Sequence, residues 1–263
     1  MIKISVVCPT YNSKEFVERT ILSLINQTEK IDEIIFSDDG STDNTIEKIE
    51  SYFEKLHSKI DYTIIRNKHA GPGAARNAGI KIAKYNWLGF IDSDDLWEPN
   101  KIEKIKEAIN KNSNYNFICH NEYYIKSNLI RRAVYYSKKY HQNKSLVKQL
   151  YLSNKFSTSA IVCKKELFLN EKNFFNESLS SSQDYELWLR ISPLLKVLFL
   201  DDVLGSYVLR KGSITSGKLS IRYLNELKIA LLHRHKVNII YFLLKIILIS
   251  IKYFFYIIKK LFN

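Results

Sequence analysis

The first 120 residues repeat one pattern three times over: a short apolar run of strand type, a polar turn, then apolar residues at helical spacing. Residues 4–8 read as a buried strand, followed by a helix over about residues 15–27 with Ser13 as its N-cap. Strand signals recur at residues 34–37, 62–66 and 87–91. Between them, Ile46, Ile49, Phe53 and Leu56 lie on one helical face behind an acidic first turn, and residues 74–84 form a third helix. Strand, helix, strand in this order predicts a parallel sheet with helices on both faces. Such sheets bind ligands beyond the carboxyl ends of their strands.

The polar motifs fall there. Pro9-Thr10-Tyr11-Asn12 follows the first strand, Asp38-Asp39-Gly40-Ser41-Thr42-Asp43 the second, the Gly71 to Gly79 segment the third and Asp92-Ser93-Asp94-Asp95 the fourth. Three carboxylates within four positions repel one another unless something neutralises them. Mg2+ or Mn2+ would, since such ions take one or two protein carboxylates and complete their shell from water and phosphates. A solvated turn in which Asp94 or Asp95 helps start the helix near Pro99 is the plain alternative. An EF-hand is excluded, because Leu96 and Trp97 stand where a ligand and the turn glycine are required. Asp38 and Asp39 are placed either to accept from a nucleobase or merely to build a strand-to-helix turn.

Gly71-Pro-Gly-Ala-Ala-Arg76-Asn77-Ala-Gly79 contains G-x-G but follows the wrong strand for a dinucleotide fingerprint and has Arg76 where that motif closes on Gly or Ala. It reads better as a helix start that lets backbone approach a ligand, with Arg76 reaching a base or phosphate; tight packing would account for the small residues but not for Arg76-Asn77. Further on, Asp184 opens an amphipathic helix, either as a general base or as a favourable helix-terminus charge. The histidines carry no metal-ligand spacing beyond His233 and His235, which lie on different helix faces.

Taken in order, Pro9 to Asn12, Asp38 to Asp43, Gly73 to Asn77, Asp92 to Asp95 with Trp97 and Pro99, and Gln183-Asp184 resemble the family 2 glycosyltransferases of the GT-A fold. The resemblance spans residues 3–215 and implies an α/β, Rossmann-like, mostly parallel sheet with helices on both faces. It implies a UDP-sugar donor bound by Pro9, Tyr11, Asp38, Asp39, Arg76, Asp92 and Arg210, with Asp92 and Asp94 holding Mn2+ or Mg2+ and Asp94 the more direct ligand. Asp184 is then the base that deprotonates the acceptor hydroxyl, and inversion of an α-linked donor gives a β-glycoside. Gln183 stands where the family often has an acid, and Tyr207 to Ser213 lacks the family's common histidine. The Q-x-x-R-W motif of processive synthases does not occur, so one sugar per encounter is expected.

Charge divides the chain. Residues 1–130 carry a net −2 and residues 131–263 a net +15, so the basic half is C-terminal and suits phosphate-rich partners. With 8 Gly and 4 Pro no stretch reads as a linker, and the expected division is a catalytic domain over 1–217, with a donor half to 120 and an acceptor half beyond it, followed by a helical segment over 218–263. In that segment residues 237–258 are long enough to span a bilayer, but Lys245, Lys252 and Lys259 recur every seventh residue as one basic stripe. This predicts amphipathic helices lying on an anionic membrane surface with their lysines toward headgroups; packing on the catalytic domain or on a second subunit is the alternative. Cys8, Cys119 and Cys163 are odd in number and far apart, which predicts free thiols in a reducing compartment, and the direct run from Met1 into a strand predicts no signal peptide.

The expected setting is peripheral, on the cytoplasmic face of the inner membrane. There the acceptor would be a polyprenyl diphosphate-linked saccharide in bacterial O-antigen, capsule or lipooligosaccharide assembly. Two rivals fit less well. A sugar nucleotidyltransferase wants a Gly-rich, Arg-containing loop where Pro9 to Asn12 stands, and a basic nucleic-acid or membrane-surface protein has no need of Asp94 or Asp184. No nucleic-acid partner is expected.

Overall fold

The computed structural model describes residues 2–55, 60–126, 130–141, 143–210 and 219–261. The N-terminal half alternates as expected: β1 (Ile4–Thr10), α1 (Val17–Ile25), β2 (Glu33–Asp38), α2 (Thr45–Lys55), β3 (Asp61–Arg66), α3 (Pro72–Ile82), β4 (Trp87–Phe90), a two-residue β5 (Leu96–Trp97) and α4 (Lys101–Lys111). The second half adds β6 (Phe117–Lys126), β7 (Ile130–Val134), α5 (Leu146–Leu152), β8 (Ile161–Lys164), α6 (Gln183–Ile191), β9 (Val197–Leu209), α7 (Leu219–Leu232) and α8 (Ile239–Leu261). The nine described strands pair into one sheet of order β3-β2-β1-β4-β8-β6-β9-β5, with β7 on β6.

The strands β3, β2, β1 and β4 are parallel, as the alternating pattern requires. Beyond β4 the sheet is mixed, since β8 runs antiparallel to both β4 and β6 while β9 is parallel to β6. The expectation of a mostly parallel sheet therefore holds for the N-terminal half.

Every residue of β1 is buried, because both faces of this central strand are covered. Ile4, Val6 and Cys8 pack with α1, α2 and α4, whereas Val7 packs on the opposite face with α3 and α6. The three cysteines are free and buried.

Some boundaries shift for identifiable reasons. The first strand extends to Thr10 because Pro9 and Thr10 remain in register with Ser37 and Asp38. Ser13 does not cap a helix with its side chain: its hydroxyl meets Ser93 Oγ at 2.7 Å, and its carbonyl accepts the N–H groups of Phe16 and Val17. The third helix begins at Pro72, whose fixed φ and missing N–H suit the first helical position. Gly71 before it has φ 94°, a conformation glycine adopts without steric cost. Leu56 lies outside the described residues.

Within α3, Gly79 has a packing role. A Cβ there would lie 2.5 Å from Val7 Cγ1, so the helix crosses β1 closer than any side chain permits. Asn77 is explained by packing too, contrary to the sequence expectation. Its amide donates to Phe175 O (2.9 Å) and Glu177 Oε1 (2.8 Å), and its oxygen accepts from Phe175 N–H, fastening the chain ahead of α6.

The C-terminal helices join this core. Ile229, Ala230 and Ile249 are buried with Leu150 and Tyr151 of α5, and Tyr151 donates to Ala230 O at 2.7 Å. The boundary expected at residue 217 and the 211–213 part of the Arg210 motif lie outside the described residues.

Candidate active site

Two adjoining cavities open at the carboxyl ends of the parallel strands, where the topology concentrates strand-end loops. The larger, about 660 Å³, is lined by Pro9, Tyr11, Asp39, Arg76, Asp92, Asp94 and Arg210 among others. The smaller, about 430 Å³, is lined by Asp184, Asn154 and Tyr185. Pro72, Arg76, Asp92 and Tyr207 belong to both walls, so the two spaces meet at the Arg76–Asp92 pair.

At one end of the larger cavity Asp39 is 2% exposed and accepts from the N–H groups of Ala70 (2.8 Å) and Gly71 (2.9 Å). His69 Nδ1 lies 2.8 Å from the same carboxylate, and its ring stacks on exposed Tyr11 with centroids 4.4 Å apart. This aromatic step beside a fixed carboxylate has the form of a nucleobase seat. His69 was not among the sequence candidates, because one histidine between Lys68 and Ala70 carries no spacing signal.

Asp38 corrects an expectation. It is 1% exposed, accepts from Thr10 Oγ1 (2.8 Å), Ser41 N–H (2.8 Å) and Ser41 Oγ (2.5 Å), and lines neither cavity. Its carboxylate is spent on building the turn. Of the neighbouring pair, only Asp39 faces the cleft.

At the other end stand Asp92 and Asp94. Arg76 Nη2 donates to Asp92 Oδ1, and Arg210 Nε donates to Asp94 Oδ2. Burial, then the Asp92 charge, pushes the Asp94 carboxyl above its ordinary range. Each arginine is itself held by an aromatic face, Arg76 over Phe175 and Arg210 over Phe16 at 4.3 Å. No group of three or more potential ligands forms a metal cluster among the described residues. Two carboxylates beside a cleft fit an ion that draws its remaining ligands from water and phosphate.

Asp95 is not a helix cap. It is 1% exposed, accepts from Ser159 Oγ (2.6 Å) and Val208 N–H (3.0 Å), and so ties the acidic turn to β9. Burial raises its carboxyl well above the usual range. Ser159 O in turn accepts from Trp97 Nε1 (3.2 Å) and from buried Lys101 Nζ (2.8 Å), whose ammonium lies over the Trp97 ring. This network, rather than the loop alone, fixes where Asp92 and Asp94 point.

Asp184 sits in the first turn of α6, behind Ser182 in a left-handed conformation with φ 62°. Asn154 Nδ2 donates to its Oδ2 at 3.0 Å. Burial pushes its carboxyl up, which suits a group that must take a proton near neutral pH. The preceding Gln183 is buried and donates to Leu179 O, so it serves packing. Among the histidines, His233 is 4% exposed and meets Glu186 Oε1 at 2.8 Å, a structural contact as expected.

The first lysine of the α8 stripe turns inward, opposite to the expectation, while Lys252 stays half exposed. Lys245 is 1% exposed, and Lys245 and Lys252 both reach Glu226 Oε2 of α7, at 3.4 and 3.1 Å. What faces outward is mostly apolar, including Ile240, Leu243, Leu244, Ile247, Phe254 and Phe255. Sevenfold spacing puts the lysines on one face but cannot say which face the protein covers, and Glu226 decides it. The Lys259 side chain lies outside the described residues. Residues Ile239–Ile258 are long and apolar enough to cross a membrane.

The family described as Glycosyl transferase family 2 matches residues 5–168. Among curated proteins, the chain is 26% identical over 231 residues to chondroitin synthase of Escherichia coli, covering 86% of this chain and 32% of that protein. It is 30% identical over 191 residues to an uncharacterized glycosyltransferase of Haemophilus influenzae, covering 72% and 61%. The chain thus spans a third to three-fifths of the length of these relatives. Its fold is that of S. aureus TarS 1-349, solved in complex with UDP-GlcNAc, at TM-score 0.68 and 21% identity over 88% of this chain and 66% of that one.

Proposed function

The chain belongs to glycosyl transferase family 2, and we propose that it transfers one sugar from a UDP-sugar to an acceptor hydroxyl with inversion, forming a β-glycosidic bond. The carrying observation is that Asp184 lines one cavity, Asp39 and Asp94 line the other, and Arg76 and Asp92 line both. Such an arrangement supplies two substrate spaces meeting at one point.

In this reading the uracil stacks at Tyr11 and His69 beside Pro9 and Asp39. The diphosphate lies toward Arg76, Asp92 and Arg210, with Asp94 and Asp92 holding Mn2+ or Mg2+. A bound cation would neutralise charge developing on the leaving diphosphate. Arg76 contributes a donor of its own, because its Nε is buried with no hydrogen-bond partner among the described residues. Asp184, its proton affinity raised by burial and its orientation held by Asn154, takes the proton of the acceptor hydroxyl. Attack then comes from the side of the anomeric carbon opposite the diphosphate.

The acceptor in this proposal is a polyprenyl diphosphate-linked saccharide, and the setting is assembly of a bacterial surface polysaccharide such as O-antigen, capsule or lipooligosaccharide. The outward apolar face of α8 supports peripheral attachment to the cytoplasmic side of the inner membrane. Solved TarS with UDP-GlcNAc makes that donor the first to try. The test is hydrolysis of a panel of UDP-sugars by the purified chain with Mn2+, Mg2+ or EDTA. Cation-dependent turnover of one donor is expected; no turnover and no binding of any UDP-sugar would refute the proposal.

A further inference from the structure

The cavity that holds Asp184 does not end there. Its far wall carries Arg222 of α7 and Lys245 and Lys252 of α8, with Glu226 as the single acid among them. Lys245 is 1% exposed, donates to Leu152 O at 3.2 Å and lies over the Tyr185 ring. Both lysines share one carboxylate oxygen of Glu226, and Arg222 has no ion-pair partner among the described residues. Three cations against one carboxylate leave a recess with a formal surplus of two positive charges.

A buried lysine is costly, and Lys245 shares its one carboxylate partner with Lys252, which is half exposed at the cavity wall. Burial lowers the Lys245 pKa, while the two lysines hold Glu226 below the usual range against its own burial. An incoming dianion would complete the charge balance. On the same two helices Ile221 and Leu224 of α7 and Ile251 and Phe255 of α8 are exposed, Ile221 and Ile251 next in sequence to Arg222 and Lys252, so the helices that carry the cations also carry exposed apolar side chains.

We propose that Arg222, Lys245 and Lys252 bind the phosphate groups of the acceptor, with its lipid portion along the apolar face of α7 and α8 and its sugar hydroxyl directed to Asp184. This rests on the transferase reading in taking the Asp184 cavity as the acceptor side. A lipid-linked diphosphate matches all three elements in order: an apolar chain, two negative charges and a saccharide. Glu226 holds the lysines together when no phosphate is bound.

The test uses the full chain and farnesyl diphosphate as the probe, followed by calorimetric titration with and without saturating UDP. Wild-type protein is expected to bind the probe in the presence of UDP and to bind farnesol far more weakly. Arg222→Glu and Lys252→Gln, both at exposed positions, should each weaken the probe by about tenfold or more while leaving UDP affinity and the thermal unfolding midpoint unchanged. Variants that bind the probe like wild type, or one-for-one displacement of the probe by UDP, would overturn the site. So would variants that lose binding to phosphatidylglycerol vesicles while keeping farnesyl diphosphate affinity, since the cations would then serve lipid headgroups. UDP binding without probe binding would remove this site alone; a wild-type chain that binds neither would remove the transferase reading with it.

Discussion

Arg76 of α3 and Asp92 at the end of β4 form an ion pair at the junction of the two cavities, and the Arg76 Nε beside that pair is a buried donor with no partner among the described residues. A guanidinium can hold Asp92 with one nitrogen and still offer another to a phosphate, which an ammonium cannot do from the same position. Arg76→Lys is therefore expected to raise the Kd for UDP by about 10- to 100-fold, the worth of one hydrogen bond to a charged group. Isothermal titration in the presence of Mn2+ reads this directly. An unchanged Kd would show that the free Nε does not meet the nucleotide.

Asp184 gives a prediction whose sign is opposite in activity and in stability. Burial raises its pKa in the folded chain, so folding binds the proton more tightly than the unfolded chain does. The stability it contributes is present below the ordinary aspartate range and lost as pH rises through the raised value. Asp184→Asn should thus raise the unfolding midpoint at pH 7 to 8 and make no such difference near pH 3. Over the same range kcat of the wild type should rise with pH on a limb set by this group, and the variant should lose about 100- to 10,000-fold in kcat.

Gly79 tests the close crossing of α3 over β1. Gly79→Ala puts a methyl group 2.5 Å from Val7 Cγ1, in a fully buried contact. Overpacking of this kind costs about 1–3 kcal/mol, against a gain of about 1 kcal/mol in helix propensity. A net loss of up to about 2 kcal/mol is expected in urea unfolding, and combining it with Val7→Ala should recover a coupling of similar size.

How much of this was legible in the sequence differs by region. Strands β1 to β4 were, because apolar runs at residues 4–8, 34–37, 62–66 and 87–91 carry the period of a buried parallel sheet. The same pattern put Tyr11, Asp39, Arg76, Asp92 and Asp94 at strand ends, and they do converge on one cavity. Asp38 and Asp39 could not be separated, since adjacent residues in an extended strand end point to opposite sides and the sequence does not say which side is the cleft. Ser159 and Asn154 were invisible because their partners, Asp95 and Asp184, lie 64 and 30 positions away. The orientation of the α8 stripe was likewise hidden, depending on a single carboxylate one helix earlier.

That orientation changes the expected mode of membrane contact. With Lys245 and Lys252 turned to Glu226, the outward face of α8 is mostly apolar, and attachment should rest on apolar burial more than on charge. Flotation with phosphatidylcholine vesicles is expected to persist in 0.5 M salt, where the Debye length has shrunk to about 4 Å. Leu244→Glu with Ile247→Glu, both at exposed positions, should abolish it. Release by salt alone would restore the headgroup-facing arrangement.

The division of labour between the two carboxylate sites is the centre of this account, and one paired titration and turnover experiment addresses it. Asp94→Asn and Asp184→Asn are each titrated with UDP in Mn2+ and assayed for sugar transfer. Asp184→Asn is expected to bind UDP like wild type but to transfer sugar about 100-fold or more slowly, whereas Asp94→Asn loses both. Full turnover by Asp184→Asn, or wild-type UDP affinity in Asp94→Asn, would contradict it.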